Sequence, residues 1–218
     1  MKTAVLLSGG LDSTTALHWA KAHHQVVCAL SFHYGSNHAA QELACARYQA
    51  GLLGVPYKEI DISVLAQHLD SALLSGAAAI PTGDYTEENQ KQTVVPFRNG
   101  IFLAIAAGVA ESAGAQALVI AAHAGDHAIY PDCRPEFMEA MGRAIRLGTY
   151  AGLEIVDPFI HADKADIVRA GLGLGVDYAR TYSCYCGGAL HCGECATCRE
   201  RKAAFAAAGA ADPTTYIH

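Results

Sequence analysis

A turn rich in serine and glycine follows the first apolar run of the chain. The run 4–7 (AVLL) predicts a buried strand, and the turn 8–13 (SGGLDS) leads from it into a helix. Two adjacent glycines let the backbone come close to a ligand with its N–H groups turned inward. The helix presents its unpaired N–H groups and positive dipole end to the same place. We therefore predict an anion pocket, most commonly for a phosphate; a glycine-rich turn without a ligand is the alternative.

A cysteine cluster is the second group of residues that could do chemistry. Five of the eight cysteines lie in 184–198, and crowding of this kind favours a metal over disulfides. A gap of two residues lets two thiolates converge on one ion, and tetrahedral zinc takes four thiolates in closed structural sites. We predict that zinc is held by four of these residues: Cys184, Cys192, Cys195 and Cys198.

Two alternatives stay open at this cluster. An iron–sulfur cluster is one, because ferredoxin-type runs also use C-x2-C-x2-C; those runs continue with C-x3-C-P, which is missing here. The other concerns the upstream ligand, since Cys186 or His191 could replace Cys184. A helix predicted over 199–208 would follow Cys198, and its dipole, with Arg199 and Arg201 nearby, would favour the Cys198 thiolate.

Three more strings have unusual chemistry. The string 130–137 (YPDCRPEF) fixes an acid, a thiol and an arginine between two prolines. The string 94–99 (VVPFRN) places Arg98, a permanent planar cation suited to bidentate contacts, at the start of a strongly apolar helix. The string 181–185 (TYSCY) leads into the cysteine cluster. Asp132 and Arg134 could bind a ligand or form a salt-bridged turn.

These motifs together resemble a known family. The turn 8–13 resembles the pyrophosphate loop of the N-type ATP pyrophosphatases and is not a Walker loop, because the chain lacks GxxxxGK[ST]. On its own it leaves several activities open, among them NAD, GMP and argininosuccinate synthetases and tRNA thiolation enzymes. With the three strings and the four cysteines, the chain resembles from end to end the QueC family of queuosine biosynthesis, the 7-cyano-7-deazaguanine synthases. Phe97 stands where that family commonly has glycine, and Tyr182 where it commonly has tryptophan.

The resemblance implies an activity and its partners. ATP would adenylate the carboxylate of 7-carboxy-7-deazaguanine, ammonia would give the amide, and a second adenylation would give the nitrile. ATP, Mg2+ and Zn2+ would be the cofactors of a cytoplasmic homodimer that contacts neither membrane nor nucleic acid directly. The residues expected to bind ATP form one continuous stretch: Leu7, Ser8, Gly9, Gly10, Leu11, Asp12, Ser13, Thr14, Thr15, Ala16 and Leu17.

The resemblance also implies individual roles. Asp12 would hold magnesium or the loop itself, with Asp126 as a second candidate ligand, and Ser8 and Ser13 would bind phosphate oxygens. Arg98 would neutralise a phosphate or the substrate carboxylate, Asp132 and Arg134 would face the deazaguanine, and His123 and His127 could carry protons. The expected catalytic set is therefore Asp12, Ser13, Arg98, Asp126, Asp132 and Arg134.

Three other functions compete with this one. A tRNA-sulfurating relative would need a free reactive cysteine and usually a basic surface, whereas the net charge is -6. A relative that joins a deazaguanine to a protein or nucleic acid would share the catalytic residues and differ in the acceptor. A non-enzymatic zinc module would leave the nucleotide loop without a purpose.

The elements that must position these residues follow from hydrophobic patterning. The chain has 218 residues, 52% of them hydrophobic, which suits one compact domain. It lacks an apolar run of about 18 residues, and a strand begins at once with no signal segment, so we expect no membrane span and a cytoplasmic location. Strands are predicted over 2–7, 25–32, 57–62, 117–121 and 153–156, and helices over 12–22, 37–53, 97–113, 135–148, 163–170 and 199–208.

This alternation predicts an α/β fold with a doubly wound, mostly parallel five-stranded sheet. The family resemblance implies the adenine nucleotide alpha hydrolase (HUP-like) version, with a C-terminal zinc-binding helical segment. We expect a nucleotide-binding domain over 1–180 and a zinc segment over 181–218 packed on it. The polar stretch 76–92 is expected to form a lid or a plain surface loop. Ligands of such sheets bind beyond the C-terminal strand ends, where the turn 8–13 lies.

Overall fold

One parallel sheet forms the centre of the protein. The computed structural model describes residues 1–74, 80, 91–126 and 130–218. Five strands pair in the order β3-β2-β1-β4-β5, and every pair is parallel, as predicted. Their bounds are β1 Lys2–Leu6, β2 Gln25–His33, β3 Tyr57–Asp61, β4 Ala117–Val119 and β5 Glu154–Val156.

Six α-helices among the described residues cover both faces of the sheet. They are α1 Leu11–His23, α2 Ala39–Leu52, α3 Arg98–Ser112, α4 Pro135–Gly148, α5 Lys164–Gly173 and α6 Ala196–Ala207. One apolar core joins α1, α2, α5 and α6 to the sheet, and a second joins α3 and α4 to the opposite face. Apolar side chains on both sides of the strands require this double cover, so the doubly wound prediction is confirmed.

The strand order places the functional turn at a switch point. The chain moves from β1 outward to β3, then returns to the other side of β1 for β4 and β5. The connections leaving β1 and β4 therefore diverge, which opens a crevice beyond their C-terminal ends. The turn after β1 and the residues after β4 face each other there.

The start of α3 has an unusual backbone. Phe97, the residue before the helix, has φ +53°, and it is the one non-glycine residue with a positive φ among those described. A glycine would adopt that conformation without a Cβ penalty. Here the Phe97 ring lies directly over Gly100, and it contacts Phe137 edge-to-face at 5.7 Å.

The helix α3 is apolar because it lies in the core. The stretch Lys91–Ser112 contains an 18-residue window of mean hydropathy 1.5, enough to cross a membrane by length and composition alone. The α3 helix itself is 15 residues long, and Leu103, Ala106 and Ala110 are buried against the sheet. That burial is typical of a core helix.

The predicted lid over 76–92 falls mostly outside the described residues.

The C-terminal segment packs on the same core. Ala204 and Phe205 of α6 belong to the apolar cluster that contains β1 and α1. The Tyr182 N–H donates to the Gly9 carbonyl at 2.9 Å, which ties this segment to the turn after β1. The helix α6 begins at Ala196, so Cys198 lies inside its first turn; the prediction that Cys198 precedes the helix was wrong.

Candidate active site

A cavity lies at the crevice between β1 and β4. The turn 8–13 forms one side, and the residues after β2 and the start of α2 form another. The start of α3, the residues after β4, the first residue of α5 and the first turns of α6 also contribute to the wall. Tyr130, Cys133 and Tyr182 line it as well, so distant segments of the chain, including the C-terminal one, contribute to one site.

Two serines hold the turn in shape. The Ser13 Oγ accepts from the Ser8 N–H at 3.1 Å, and the two hydroxyls lie 2.9 Å apart. The Gly10 N–H donates to the Ser8 Oγ at 3.2 Å. Both side chains also line the cavity, so they can exchange these bonds for phosphate oxygens. Gly10 is the N-cap of α1 and brings no capping side chain, which leaves the helix N-terminus open to an anion.

Gly9 is required by its conformation and by its neighbour. Its φ is +90°, and a Cβ placed there would lie 2.2 Å from the carbonyl oxygen of Glu42 in α2. The turn therefore presses directly on the backbone of α2. This contact sets the distance between the turn and the residues of α2 that face the cavity.

The predicted ATP-binding stretch divides into two parts. Leu7, Ser8, Gly10, Leu11, Asp12 and Ser13 line the cavity. The other members do not line the cavity. Gly9 packs against the backbone of α2, and four residues are fully buried in α1: Thr14, Thr15, Ala16 and Leu17. The Thr15 hydroxyl donates to the Leu11 carbonyl at 2.9 Å and lies 2.7 Å from the Tyr178 hydroxyl, so its contacts are internal.

A cluster of charged side chains surrounds Lys164 at one end of the cavity. Its ammonium lies 3.4 Å from Asp12 and 2.5 Å from Glu200. Burial acts to lower the pKa of Lys164, but the carboxylates of Asp12, Glu200 and Asp126 outweigh it and raise the pKa well above its ordinary value. Burial acts to raise the pKa of Asp12, and the Lys164 ammonium overcomes this effect and lowers it. Both groups are therefore charged at neutral pH.

Asp126 and His123 adjoin this cluster. Asp126 ends a 3-10 turn after β4, and its carboxylate lies 3.5 Å from the His123 Nε2. Burial raises the pKa of Asp126 despite the nearby His123 and Lys164. The His123 Nδ1 accepts from the Gly125 N–H at 3.1 Å. His127, the other predicted proton carrier, lies outside the described residues.

The donor set fits a magnesium ion. Asp12 Oδ1 is buried, and no hydrogen-bond partner reaches it within the described part of the chain. Asp12 and Asp126 both line the cavity beside the phosphate-binding turn. Carboxylate oxygens next to phosphates are the ligands that magnesium prefers.

Arg98 and Asn99 project from the first turn of α3. Arg98 lines the cavity, and its guanidinium lies 3.5 Å from the Tyr34 hydroxyl and 5.8 Å from the centre of that ring. The Asn99 side-chain amide donates to the Asp132 carbonyl at 3.2 Å and to the Cys133 sulfur at 3.1 Å. A fixed positive charge therefore faces the cavity opposite the turn 8–13.

Asp132 and Arg134 lie away from the cavity wall formed by the described residues. The Asp132 carboxylate accepts from the Asn99 backbone N–H at 2.8 Å, which holds the N-terminus of α3. Arg134 is exposed and is the residue before α4. Their neighbours Tyr130 and Cys133 do line the cavity. The string 130–137 thus contributes to the site through different residues from those predicted.

Three ionisable residues of the site were missed by the sequence analysis: Glu42, Lys164 and Glu200. Lys164 is the first residue of α5, after the capping residue Asp163, and no motif marks it. Glu200 lies among the cysteines and arginines of the C-terminal segment, where only a metal site was sought. Burial raises the pKa of Glu42 to about 8. Burial of a side chain, and the pKa shift that burial causes, exist only in the folded protein, so no sequence motif identifies these three residues.

The four predicted zinc ligands form one cluster. The sulfur atoms of Cys184, Cys192, Cys195 and Cys198 lie within 4.8 Å of one another. Two of the separations are 4.0 Å, close to the roughly 3.8 Å that four sulfurs about 2.3 Å from one tetrahedral ion would have. Backbone N–H groups of Cys192 and Cys195 donate to neighbouring sulfurs at 3.3 and 3.2 Å, as expected of a thiolate site.

The two alternative ligands lie outside this cluster. Cys186 is exposed, and its backbone N–H, at 3.4 Å, donates to the Cys184 sulfur. The His191 Nε2 accepts from the Ser183 N–H at 3.0 Å. Burial, and then the Arg201 guanidinium, lower the pKa of His191 to about 4, so the imidazole is neutral and engaged elsewhere. Cys184 is thus the upstream member of the set.

Comparison with known proteins gives a consistent result. The family model for the queuosine biosynthesis protein QueC matches residues 2–209. A 7-cyano-7-deazaguanine synthase of Porphyromonas gingivalis is 51% identical over 212 residues, which are 97% of this chain and 96% of that protein. The corresponding synthase of Caldicellulosiruptor bescii is 50% identical over 99% and 97% of the two chains. That of Methanoregula boonei is 47% identical over 99% of each.

Comparison with solved structures gives a weaker match. A 4-thiouridine synthetase in complex with RNA and bound ATP is 20% identical, with a TM-score of 0.46 over 80% of this chain and 40% of that one. That likeness is too weak to bear on function.

Proposed function

Because the chain belongs to the QueC family, we propose that it catalyses the ATP-dependent conversion of 7-carboxy-7-deazaguanine and ammonia to 7-cyano-7-deazaguanine. The observation that carries this proposal is the match to 7-cyano-7-deazaguanine synthases at about half identity over nearly the full length of both chains. The cavity beside the turn 8–13, with cationic and carboxylate groups around it, supports it.

The chemistry requires two activations. A carboxylate is a poor electrophile, so its oxygen attacks the α-phosphorus of ATP and pyrophosphate leaves. Ammonia then attacks the acyl carbon, AMP departs with the oxygen, and an amide results. A second ATP adenylates the amide oxygen; loss of AMP and of the amide protons gives the nitrile. Positioning and charge stabilisation are the protein's contribution.

The residues of the cavity divide these tasks. The turn 8–13 and the N-terminus of α1 bind the phosphates that become pyrophosphate. Arg98 neutralises a phosphate or the substrate carboxylate from the opposite side. Lys164, held by Asp12 and Glu200, is a second fixed cation beside the turn. His123, beside Asp126, would accept a proton from the attacking ammonia.

The metal ions are inferred from the ligand atoms that the protein offers. Asp12 and Asp126 would hold magnesium, which neutralises phosphate charge when bound. The four clustered cysteines would hold zinc in a closed structural site. Asp132 and Arg134 were expected to face the base, but their positions at the starts of α3 and α4 favour a structural role. We further propose, from the family resemblance, a homodimer in the cytoplasm that contacts no nucleic acid directly.

The competing functions have less support. A tRNA-sulfurating enzyme would need a reactive cysteine in the cavity, and the cysteine that lines it, Cys133, has a pKa that burial raises above its ordinary value. A relative that joins the deazaguanine to a macromolecule would share this cavity, so activity must decide between them.

Product analysis tests the proposal. The protein is incubated with ATP, magnesium, ammonium and 7-carboxy-7-deazaguanine, and the products are identified by mass spectrometry. A nitrile is expected. An amide that is never dehydrated, or turnover only with a macromolecular acceptor, would favour the ligase relative. Metal analysis of protein purified without added metal distinguishes zinc from iron.

A matched pair of variants tests the magnesium site. Asp12→Asn should lower pyrophosphate release about 100-fold or more, because charge stabilisation at the phosphates is lost. Asp70→Asn, on an exposed residue far along the chain, should release pyrophosphate at the wild-type rate. Equal rates in both variants would contradict the role of Asp12.

A further inference from the structure

One carboxyl group of the cavity has no role in the chemistry above. Glu42 lies in the first turn of α2 and lines the cavity together with Arg98 and Tyr34. Its side chain is 19% exposed. The Glu42 backbone carbonyl is fixed against Gly9, so the residue is anchored next to the phosphate-binding turn.

The surroundings of this carboxyl do not neutralise it fully. The nearest basic side chain, His38, has its Nε2 at 3.6 Å. Burial, and then the Arg98 guanidinium, lower the pKa of His38 to about 4, so His38 is uncharged at neutral pH. Burial raises the pKa of Glu42 although Arg98 opposes this effect. Buried acids without a fixed partner are costly, and they are found mainly where a ligand supplies the partner.

Aromatic rings surround the same part of the cavity. Phe32 and Phe102 stack at 4.4 Å, and Tyr34 meets Phe102 edge-to-face at 5.4 Å. Tyr185 lies 5.5 Å from the His38 ring. All five side chains line the cavity, and such walls suit a planar heterocycle.

The substrate of the proposed function has a matching edge. The pyrimidine ring of a 7-deazaguanine carries an N1–H and a 2-amino group side by side, which are two hydrogen-bond donors in one plane. These two donors favour the ionised form of the Glu42 carboxyl, which then offers two acceptor oxygens at the corresponding spacing. Asp132 was the sequence-based candidate for this contact, but its carboxylate is engaged by the Asn99 N–H and lies away from the cavity wall formed by the described residues.

We propose that Glu42 is a specificity-determining residue, whose carboxylate accepts hydrogen bonds from the N1–H and the 2-amino group of the deazaguanine ring. The aromatic walls would hold the plane of the ring. This inference rests on the proposed function and adds the residue that reads the base.

Substrate discrimination tests it. Wild type, Glu42→Gln and the exposed control Glu139→Gln are compared on 7-carboxy-7-deazaguanine and on its analogue without the 2-amino group. The ratio of kcat/KM for the two compounds does not depend on the fraction of folded enzyme. Wild type and the control should prefer the 2-amino compound by roughly 5- to 150-fold, the range of one well-placed bidentate contact. Glu42→Gln should reduce that preference to near unity, mainly through KM for the base.

The outcomes separate the two proposals. If wild type converts the acid to the nitrile and Glu42→Gln keeps the full preference for the 2-amino compound, Glu42 does not read the base. A raised KM for ATP, or a raised magnesium requirement, with unchanged discrimination would place Glu42 in the nucleotide site and overturn the inference. If wild type neither binds nor converts the acid, the proposed function fails, and the role of Glu42 fails with it.

Discussion

At the scale of single residues, Glu42 illustrates the conflict between folding and binding. A carboxyl that folds into a partly enclosed cavity loses hydration, and the neighbouring His38 carries no charge to compensate. Its pKa moves from an ordinary 4.5 to about 8. Arg98 from α3, the phenol of Tyr34 after β2 and the thiol of Cys45 in α2 are other titratable groups that interact with it.

This pKa shift predicts that removing the acid stabilises the protein, and more so at high pH than at low pH. Between about pH 4.5 and pH 8 the folded protein binds more protons at Glu42 than the unfolded chain does, so the free energy of unfolding falls as pH rises. Glutamine does not ionise, so Glu42→Gln should raise Tm above wild type by roughly 5 °C at pH 8 and by little at pH 5. Thermal unfolding of the ligand-free protein at both values measures this. Glu139→Gln should show no such difference, and an equal gain at both pH values would contradict the assignment.

At the scale of elements, the turn between β1 and α1 depends on a contact with α2. Gly9 adopts a left-handed conformation and lies against the Glu42 carbonyl, where a side chain has no room. The turn, the helix N-terminus behind it and α2 therefore form one unit.

A substitution in this turn tests its rigidity. Gly9→Ala should destabilise the protein by about 1–3 kcal/mol through backbone strain and should abolish most ATP turnover, because α2 and the turn must separate. Gly108→Ala, in α3 with open space around its Cα, should instead stabilise by about 0.5–1 kcal/mol and keep activity. Denaturant unfolding and pyrophosphate release measure both effects. Comparable turnover in the two variants would be inconsistent with the contact.

A buried arginine links the elements of the C-terminal segment. Arg201 is fully buried, and its guanidinium donates to the Thr181 hydroxyl at 2.7 Å and to the Tyr178 carbonyl at 2.9 Å. It also pairs with Asp212 at 3.2 Å. It was expected to support the Cys198 thiolate, but its guanidinium donates hydrogen bonds to oxygen atoms instead.

Removing this arginine should lower the stability of the protein strongly. Arg201→Met leaves Asp212 nearly buried without its cation, and the free energy of unfolding should fall by about 3–5 kcal/mol. Arg146→Met, on an exposed residue of α4, should change it by less than about 0.5 kcal/mol. Denaturant unfolding gives both values, and a small effect of Arg201→Met would show that Asp212 is satisfied by Tyr216 and Thr214 alone.

At the scale of the whole molecule, residues that flank the cysteine cluster contact residues of the cavity. Tyr182, two residues before Cys184, donates to the Gly9 carbonyl, and Glu200, two residues after Cys198, binds Lys164. The four sulfurs thus hold both ends of a segment that completes the active site.

Metal removal should therefore cost activity as well as local structure. Treatment with a chelator, followed by elemental analysis to establish metal loss, should lower ATP turnover at least 10-fold and make 181–218 sensitive to protease. Re-addition of zinc with magnesium held constant should restore both. Full turnover in protein shown to be metal-free would mean that the cluster does not support the cavity.

The sequence alone predicted the sheet, the turn 8–13 at the cavity and the four cysteines that cluster in the structure. These features depend on local signals: the period of apolar residues, glycines between a strand and a helix, and cysteines spaced for one ion. Such signals predict the strands and helices with bounds that differ from the structure by at most three residues. They also identified Asp12, Ser13 and Arg98 at the cavity, since each lies at the end of an element in the sheet's binding crevice.

Only the tertiary structure decided which other side chains share that crevice. Glu42, Lys164 and Glu200 come from three helices far apart in the chain, and packing on the two faces of the sheet brings them together. The same packing turns Asp132 toward the backbone of α3. A side chain's burial and charged neighbours, which set its pKa and its role, arise from contacts between distant segments, and no pattern within one segment encodes them.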